Sequence, residues 1–116
     1  MNYYKSILIK KNIYGILKNK NLVNSYQFFL VLCDRRDKLF NFLHKKKIMV
    51  LKYFHIPIYK QRAFKKIYSK PIKLKNSEHL EKRTLNLPIR ENLKKSEIKH
   101  ICAIMNKFYE KEINSR

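Results

Sequence analysis

The segment from Tyr53 to Gln61 holds the residues whose types and spacing best suit binding chemistry. It alternates apolar side chains with an imidazole, a phenol, an ammonium and an amide. Because Pro57 donates no backbone hydrogen bond and favours extended geometry at the residue before it, Lys52–Tyr59 is predicted to be an ordered, extended loop. Loops on rigid scaffolds often carry binding residues. The structural alternative is that the apolar side chains pack on a sheet and the polar groups face water.

The rest of the chain offers little for catalysis without a cofactor. His44, His79 and His100 fall on predicted helices among charged residues, where solvated side chains are expected. Glu78 and Glu81 form the only i, i+3 carboxylate pair on a predicted helix, most simply a solvated face. No pair of His, Cys or Glu has metal-ligand spacing. With a single glycine, the chain has no P-loop, dinucleotide fingerprint or nucleophile elbow.

The net charge has two explanations. The chain carries 28 Lys and Arg against 8 Asp and Glu, a formal charge of +20. Such a field attracts polyanions, so non-specific polyanion binding is expected and a small basic nucleic-acid-binding protein is an alternative function. The abundance of Lys, Asn, Ile and Tyr also follows from AT-rich codons, without selection for a basic surface. Lysines are spread along the chain, and no RNA- or DNA-binding signature is present.

Hydropathy and cysteine usage bound the class of protein. Hydrophobic residues make up 45% of the 116 residues, which is enough for the core of one domain. The longest apolar run, Phe28–Cys33, is much shorter than the roughly 20 residues of a membrane-spanning helix. Lysines interrupt the first ten residues, which argues against a secretory signal. Cys33 and Cys102 lie in apolar patterns, which predicts buried free thiols in a reducing cytosol.

Apolar spacing predicts the elements of the first half. A helix is expected over roughly the first ten residues, followed by a polar connection from Asn12 to Asn24. Ser25–Cys33 is rich in aromatic and β-favouring residues, which predicts a buried strand. Asp34 is the expected cap of the next helix, which has Asp37 in its first turn and runs to about Lys46.

The second half is predicted to contain strand, loop, helix, short strand and helix. Ile48–Leu51 is the second predicted strand, and Ala63–Tyr68 a short helical turn ended by Pro71. A helix from Asn76, capped by Ser77, should direct inward Leu80, Thr84 and Leu85. It should break at Leu87-Pro88-Ile89, which is expected to pair as a short strand or an edge segment.

The last element has the clearest pattern. Its apolar residues recur at helical spacing and form one stripe of a helix of about four turns: Ile98, Ile101, Cys102, Met105, Phe108 and Tyr109. The order of elements predicts an α/β or α+β fold in which helices cover a small sheet.

Three stretches carry motifs in a fixed order and spacing: Ser25 to Ile48, His55 to Phe64, and Glu78 to Ile98. The most specific parts are His-Ile-Pro-Ile-Tyr-x-Gln in the second and Thr-Leu-x-Leu-Pro-Ile in the third. Together they resemble the C-terminal part of the pyridoxal-phosphate-dependent sugar aminotransferases, the DegT/DnrJ/StrS family. The resemblance covers about Tyr4 to Tyr109.

The resemblance implies the small C-terminal domain of a fold-type I aminotransferase, with residues 1–20 as an N-terminal helix and connector and residues 21–116 as the domain. In this family a lysine of a larger N-terminal domain holds pyridoxal phosphate, and nothing in this sequence matches that domain. The implied protein is therefore a cytoplasmic fragment that lacks the cofactor-binding domain, binds no cofactor alone and is inactive alone.

The resemblance also implies a substrate and partners. The complete enzyme would act on a nucleotide-linked 4-keto-6-deoxy sugar in polysaccharide biosynthesis. The fragment would wall the substrate site, beside a separate cofactor-domain chain or as part of a homodimer, with no membrane partner. His55 and Tyr59 would orient or hydrogen-bond the substrate, not act as the catalytic base, and Gln61 is the third candidate. No catalytic residue is expected.

Two departures from the family pattern carry a cost in stability. Lys47 stands where the family usually has a glycine in left-handed geometry, which costs about 1 kcal/mol for another residue. Lys94 occupies a position that commonly holds a Ser or Thr cap, with a loss of about 1 kcal/mol.

Overall fold

The structure is a computed structural model that describes residues 13–15, 27–53, 55–68, 70 and 72–114. A small antiparallel sheet is covered by helices, so the predicted fold class is confirmed. The strands are β1 (Ile13–Gly15), β2 (Phe29–Cys33) and β3 (Thr84–Leu87), and the helices are α1 (Arg36–Lys45), α2 (Lys75–Arg83) and α3 (Lys95–Asn114). A single 3-10 turn spans Ile58–Lys60 among these residues.

The sheet has the order β1-β2-β3, and both pairings are antiparallel. In β2 the buried side chains of Phe29, Val31 and Cys33 alternate with half-buried ones, as one face of a pleated strand requires. Among the residues that the structure describes, the strand predicted over Ser25–Cys33 begins at Phe29. Ile13–Gly15 falls in the predicted connection, but it forms β1 and pairs with β2, so it lies in the same sheet as β2 and β3. The division at residue 20 stays a prediction.

The core lies between the sheet and helices α1 and α3. All six residues of the predicted apolar stripe in the terminal helix are buried, so that prediction is confirmed. The helix has 20 residues, about 30 Å long and more than the four turns expected. Cys33 and Cys102 are buried free thiols, as predicted.

The second predicted strand, Ile48–Leu51, is wrong. Leu51 forms one isolated bridge with Asn86, in which each N–H donates to the other carbonyl at 3.2 and 2.8 Å. The next hydrogen-bonded pair would need an N–H from Pro88, which has none. In the other direction, the N–H of Thr84 already donates to Leu80 at the end of α2. The ladder therefore stops on both sides of the bridge.

The start of α1 also differs from the prediction. The residue before the helix is Arg35, in left-handed geometry at φ 52°, and no side chain caps the helix. Asp34 is therefore not the cap, and its carboxylate pairs with Arg83. Asp37 does lie in the first turn, as predicted.

The predicted helix from Asn76 is correct in kind but not in its details. Helix α2 begins at Lys75, so Ser77 lies inside it and does not cap it. Leu80 is exposed and not directed inward. Thr84 and Leu85 are buried, but as residues of β3. The short strand predicted at Leu87-Pro88-Ile89 therefore lies earlier in the chain, as β3, and ends at Leu87.

The C-terminus of α1 confirms the expectation for Lys47. Its φ is 59°, in the left-handed region that glycine favours. The N–H of Lys47 donates to the backbone carbonyl of His44 at 2.9 Å, and that of Ile48 donates to the carbonyl of Leu43 at 3.0 Å. These are the two hydrogen bonds of a Schellman motif. Ile48 and Leu43 are both core residues, so the motif also buries its hydrophobic pair.

Some predictions lie outside the described residues: the helix over the first ten residues, most of the connection from Asn12 to Asn24, Ser25–Tyr26 of the strand, and Pro71. The predicted loop is confirmed at its described positions before Ile58, but its extended form is wrong: Tyr53 lies in a turn, Ile56 in a bend, and the 3-10 turn begins at Ile58. Residues 62–67 form turns, with the N–H of Phe64 donating to Gln61 at 3.0 Å, in agreement with the predicted helical turn.

Candidate functional site

The candidate loop, residues 55–61, lies between the Leu51 bridge and the turns that lead towards α2. The N–H of Lys60 donates to Pro57 at 2.9 Å and that of Gln61 to Ile58 at 3.0 Å. Proline suits the position before the turn because its φ is fixed and because no backbone N–H donor is needed there. Residues 55–61 are exposed or half-buried.

The structure places the three predicted site residues on this loop but gives their polar groups different partners. The exposed His55 has Nδ1 at 2.9 Å from the carbonyl oxygen of Lys52, which can only accept, so this bond places the hydrogen on Nδ1. Gln61, also exposed, donates from Nε2 to the carbonyl of Ile56 at 3.4 Å. In the neutral imidazole, His55 Nε2 is then an acceptor, as is the Gln61 Oε1 atom.

Tyr59 is the half-buried member of the three. Its hydroxyl donates to Glu78 Oε1 on α2 at 3.3 Å. Desolvation raises the pKa of the phenol, and the carboxylates of Glu78 and Glu81 act in the same direction while the Lys60 ammonium opposes them. Tyr59 therefore stays a neutral hydroxyl that can donate a hydrogen bond.

Sequence reasoning missed the role of Lys60 and of the two glutamates. Lys60 Nζ lies 2.6 Å from Glu81 Oε2, and this hydrogen bond raises the pKa of the ammonium. Glu78 and Glu81, interpreted from the sequence as a solvated face, are half-buried against the loop. Their i, i+3 spacing beside a consecutive Tyr-Lys pair was the available signal.

An exposed apolar edge borders the loop. Its members are four large hydrophobic residues with exposed side chains that line one groove: Phe28, Met49, Leu51 and Tyr53. Met49 is 75% exposed, and Ile58, in the loop itself, is 64% exposed. The groove has a volume of about 730 Å³ and runs to the start of α3. The rings of Phe28 and Tyr53 pack on each other there, with centroids 4.7 Å apart.

A second cleft, between α1 and the end of α2, is polar and of about 860 Å³. Four of its cations have carboxylate partners: Arg83 pairs with Asp34, Arg36 with Asp37, and Arg35 and Lys38 with Glu112. The remaining histidines, His44, His79 and His100, are exposed as predicted.

Within the described ranges, no three His, Cys, Asp or Glu side chains are grouped to hold a metal ion. In the same part of the chain, no helix is long and apolar enough to cross a membrane.

The model of the DegT/DnrJ/EryC1/StrS aminotransferase family matches residues 1–106. The chain belongs to this family. The DegT/DnrJ/EryC1/StrS resemblance expected from the three motifs is thereby confirmed. A search of curated proteins gives no significant match.

Solved structures show the DegT/DnrJ/EryC1/StrS aminotransferase fold in this chain. DesV of S. venezuelae, in complex with a ketimine intermediate, has a TM-score of 0.82 at 19% identity, covering 92% of this chain and 29% of DesV. PseC of Helicobacter pylori, an aminotransferase involved in the biosynthesis of pseudoaminic acid, has 0.79 at 20%, covering 94% and 30%. A family aminotransferase from Brucella abortus has 0.78 at 24%, covering 92% and 28%.

The chain thus spans less than a third of the length of the solved aminotransferases that it matches. Family members depend on pyridoxal phosphate and act on sugars. The matches do not support the alternative of a nucleic-acid-binding protein.

Proposed function

We propose that this chain is the small domain that walls the substrate site of a cytoplasmic sugar aminotransferase acting on a nucleotide-linked 4-keto-6-deoxy sugar. The observation that carries the proposal is the exposed apolar edge beside a loop of polar residues. Exposed apolar patches of this kind usually mark an interaction surface. This chain matches about 30% of a related chain, and the remainder of such a chain is the body that would cover the edge.

The proposed occupant of the apolar edge is the cofactor-carrying body of the family and not a second copy of this chain. Two copies that each carry +20 repel one another. A body with an apolar patch and an acidic rim would complement both the apolar side chains of the edge and the positive charge of this chain. Met49, the most exposed member, is the proposed centre of the contact.

In this arrangement His55 and Gln61 bind the substrate through His55 Nε2 and Gln61 Oε1. Both side chains are exposed while their other polar atoms are held by loop carbonyls, which fixes their orientation. A nucleotide sugar offers hydroxyl and N–H donors that suit these acceptors. Tyr59, whose hydroxyl donates to Glu78, would keep this hydrogen bond and accept one from the substrate through its remaining lone pair.

The described residues do not fit a pyridoxal phosphate site. A lysine that binds the cofactor covalently requires a lowered pKa, whereas the hydrogen bond to Glu81 raises the pKa of Lys60. The first turn of α1 carries Asp37, which repels a phosphate. We therefore propose that the chain alone binds no cofactor, and no chemical step is assigned to it.

Treatment of the purified chain with pyridoxal phosphate and borohydride tests this part of the proposal. The expected result is scattered, substoichiometric labelling of surface lysines, equal to that of the chain in denaturant. Stoichiometric labelling of one lysine in the native chain only would show a cofactor site and overturn the claim of inactivity.

A chimera in which this chain replaces the matching segment of H. pylori PseC tests the positive part. We expect transaminase activity that falls about tenfold or more in kcat/KM on His55→Ala, since one hydrogen bond to substrate is lost. Arg62→Ala, at an exposed position of the same segment, is the matched control. A folded chimera that is active but indifferent to His55→Ala, Tyr59→Phe and Gln61→Ala would contradict the assigned site.

A further inference from the structure

We infer that Glu78 and Glu81 are positioning residues that hold the candidate loop against helix α2. The inference rests on the proposed function for its consequence, because the loop carries the proposed substrate-binding residues. Its evidence is the pair of contacts from two consecutive loop residues to two carboxylates on one helix face.

The two contacts match the geometry of both elements. Glu78 and Glu81 are three residues apart in α2, so their side chains lie on the same face. Tyr59 and Lys60 are consecutive in the 3-10 turn, and Lys60 Nζ lies 5.8 Å from the centre of the Tyr59 ring. The Tyr59 hydroxyl reaches Glu78 at 3.3 Å while the Lys60 ammonium reaches Glu81 at 2.6 Å. The turn is therefore held at two points.

The helix that holds the loop is itself fixed to the core. Glu81 accepts the loop through its side chain, and its backbone carbonyl accepts a hydrogen bond from Arg36 Nη2 at 2.8 Å. Arg36 is only 6% exposed and begins α1, whose residues Leu39 and Leu43 are fully buried. A short path thus connects the loop, through Glu81, to the core.

The loop has few other contacts that could set its position. None of residues 55–61 is buried, and its own backbone bonds span three residues. The chain has only eight acidic residues against 28 basic ones, and two of the eight meet this turn. Loss of these carboxylates should therefore release the loop without loosening the sheet.

Amide hydrogen exchange of the full 116-residue chain tests the inference. Glu81→Gln should accelerate exchange at the Lys60 and Gln61 amides by roughly fivefold and leave the β2 amides unchanged. Lys60→Met, which removes the pair from the loop side, should give the same local acceleration. Glu110→Gln, at an exposed position of α3, is the matched control. It should change the exchange rates neither of the Lys60 and Gln61 amides nor of the β2 amides.

Restoration of the pair distinguishes positioning from a general loss of stability. The double variant Lys60→Glu, Glu81→Lys should recover most of the lost protection, because the reversed ion pair can form at the same place. The inference is overturned if loop exchange is unchanged in both Glu81→Gln and Lys60→Met, if β2 exchange accelerates equally, or if the charge reversal recovers nothing. None of these results would affect the borohydride or chimera tests, so the two proposals fail separately.

Discussion

The guanidinium of Arg36 donates from Nη1 to the carbonyl oxygen of Thr84 at 2.8 Å, which joins the first residue of α1 to the first residue of β3. Its Nη2 donates to the carbonyl of Glu81 at the same distance. Helix ends leave carbonyl groups without internal partners, and here a buried side chain 45 to 48 residues away supplies the donors. The arginine thereby makes possible a direct passage from α2 into β3 without an intervening loop.

Replacement of this arginine should destabilise the chain strongly. Arg36→Met leaves two carbonyls without their donor, one of them buried, and we expect the free energy of unfolding to fall by about 3 kcal/mol. Urea unfolding followed by circular dichroism measures the change. Arg62→Met, at an exposed arginine, should alter stability by less than about 0.5 kcal/mol. Equal effects of the two variants would contradict a structural role for Arg36.

Glycine at position 47 should stabilise the chain. Because Lys47 has a φ of 59°, Lys47→Gly removes left-handed strain and we expect a gain of about 1 kcal/mol. Its neighbour Lys46 has a φ of −88°, so Lys46→Gly gains nothing and should lose about 0.5 kcal/mol through chain entropy. The melting temperatures of the two variants show directly whether glycine stabilises or destabilises the chain at each position. A lower melting temperature for Lys47→Gly would refute the prediction.

The two methionines at opposite extremes of burial separate folding from docking. Met105 is fully buried in α3, so Met105→Ala should cost about 2–5 kcal/mol through lost burial and a cavity. Met49 is 75% exposed, and Met49→Ala should leave the stability of the chain within about 0.5 kcal/mol. Thermal unfolding of both variants measures this. A large loss for Met49→Ala would mean that the apolar edge contributes to this fold and is not a free docking surface.

Stability should fall in alkaline solution because of Cys33. Burial raises the pKa of this thiol from 9.0 to about 12, so the thiol remains protonated in the fold at pH values where the unfolded chain loses its proton. The contribution to stability is complete below pH 9 and is lost progressively between pH 9 and 12. The Cys102 thiol, whose pKa burial raises to about 11, adds to the same trend.

Urea midpoints at pH 7.5, 9 and 10.5 check this pH dependence. Cys33→Ala should make the decline shallower, while the titration of lysines, which is common to both chains, cancels in the comparison. Parallel curves for the two proteins would show that the Cys33 thiol ionises alike in the folded and unfolded chains.

Local signals in the sequence determined a part of this structure. The stripe from Ile98 to Tyr109 predicts which face of α3 is buried, because side chains at helical spacing share one side whatever lies opposite. The family motifs predict the aminotransferase small-domain fold, and Lys47 in the position of a glycine predicts the left-handed residue after α1. For the buried face of α3 and for the left-handed residue, the information lies within a few residues of the feature that it specifies.

Only the tertiary structure decided the features that depend on distant partners. Ile48–Leu51 has the composition of a strand, but its ladder is limited by Pro88 and by the bonds that Thr84 already makes. Glu78 and Glu81 have the pattern of a solvated face, but the chain brings Tyr59 and Lys60, 19 and 21 residues earlier, against them. Whether a polar group meets water or another side chain depends on which segments fold together, and residue spacing along the chain does not encode that choice.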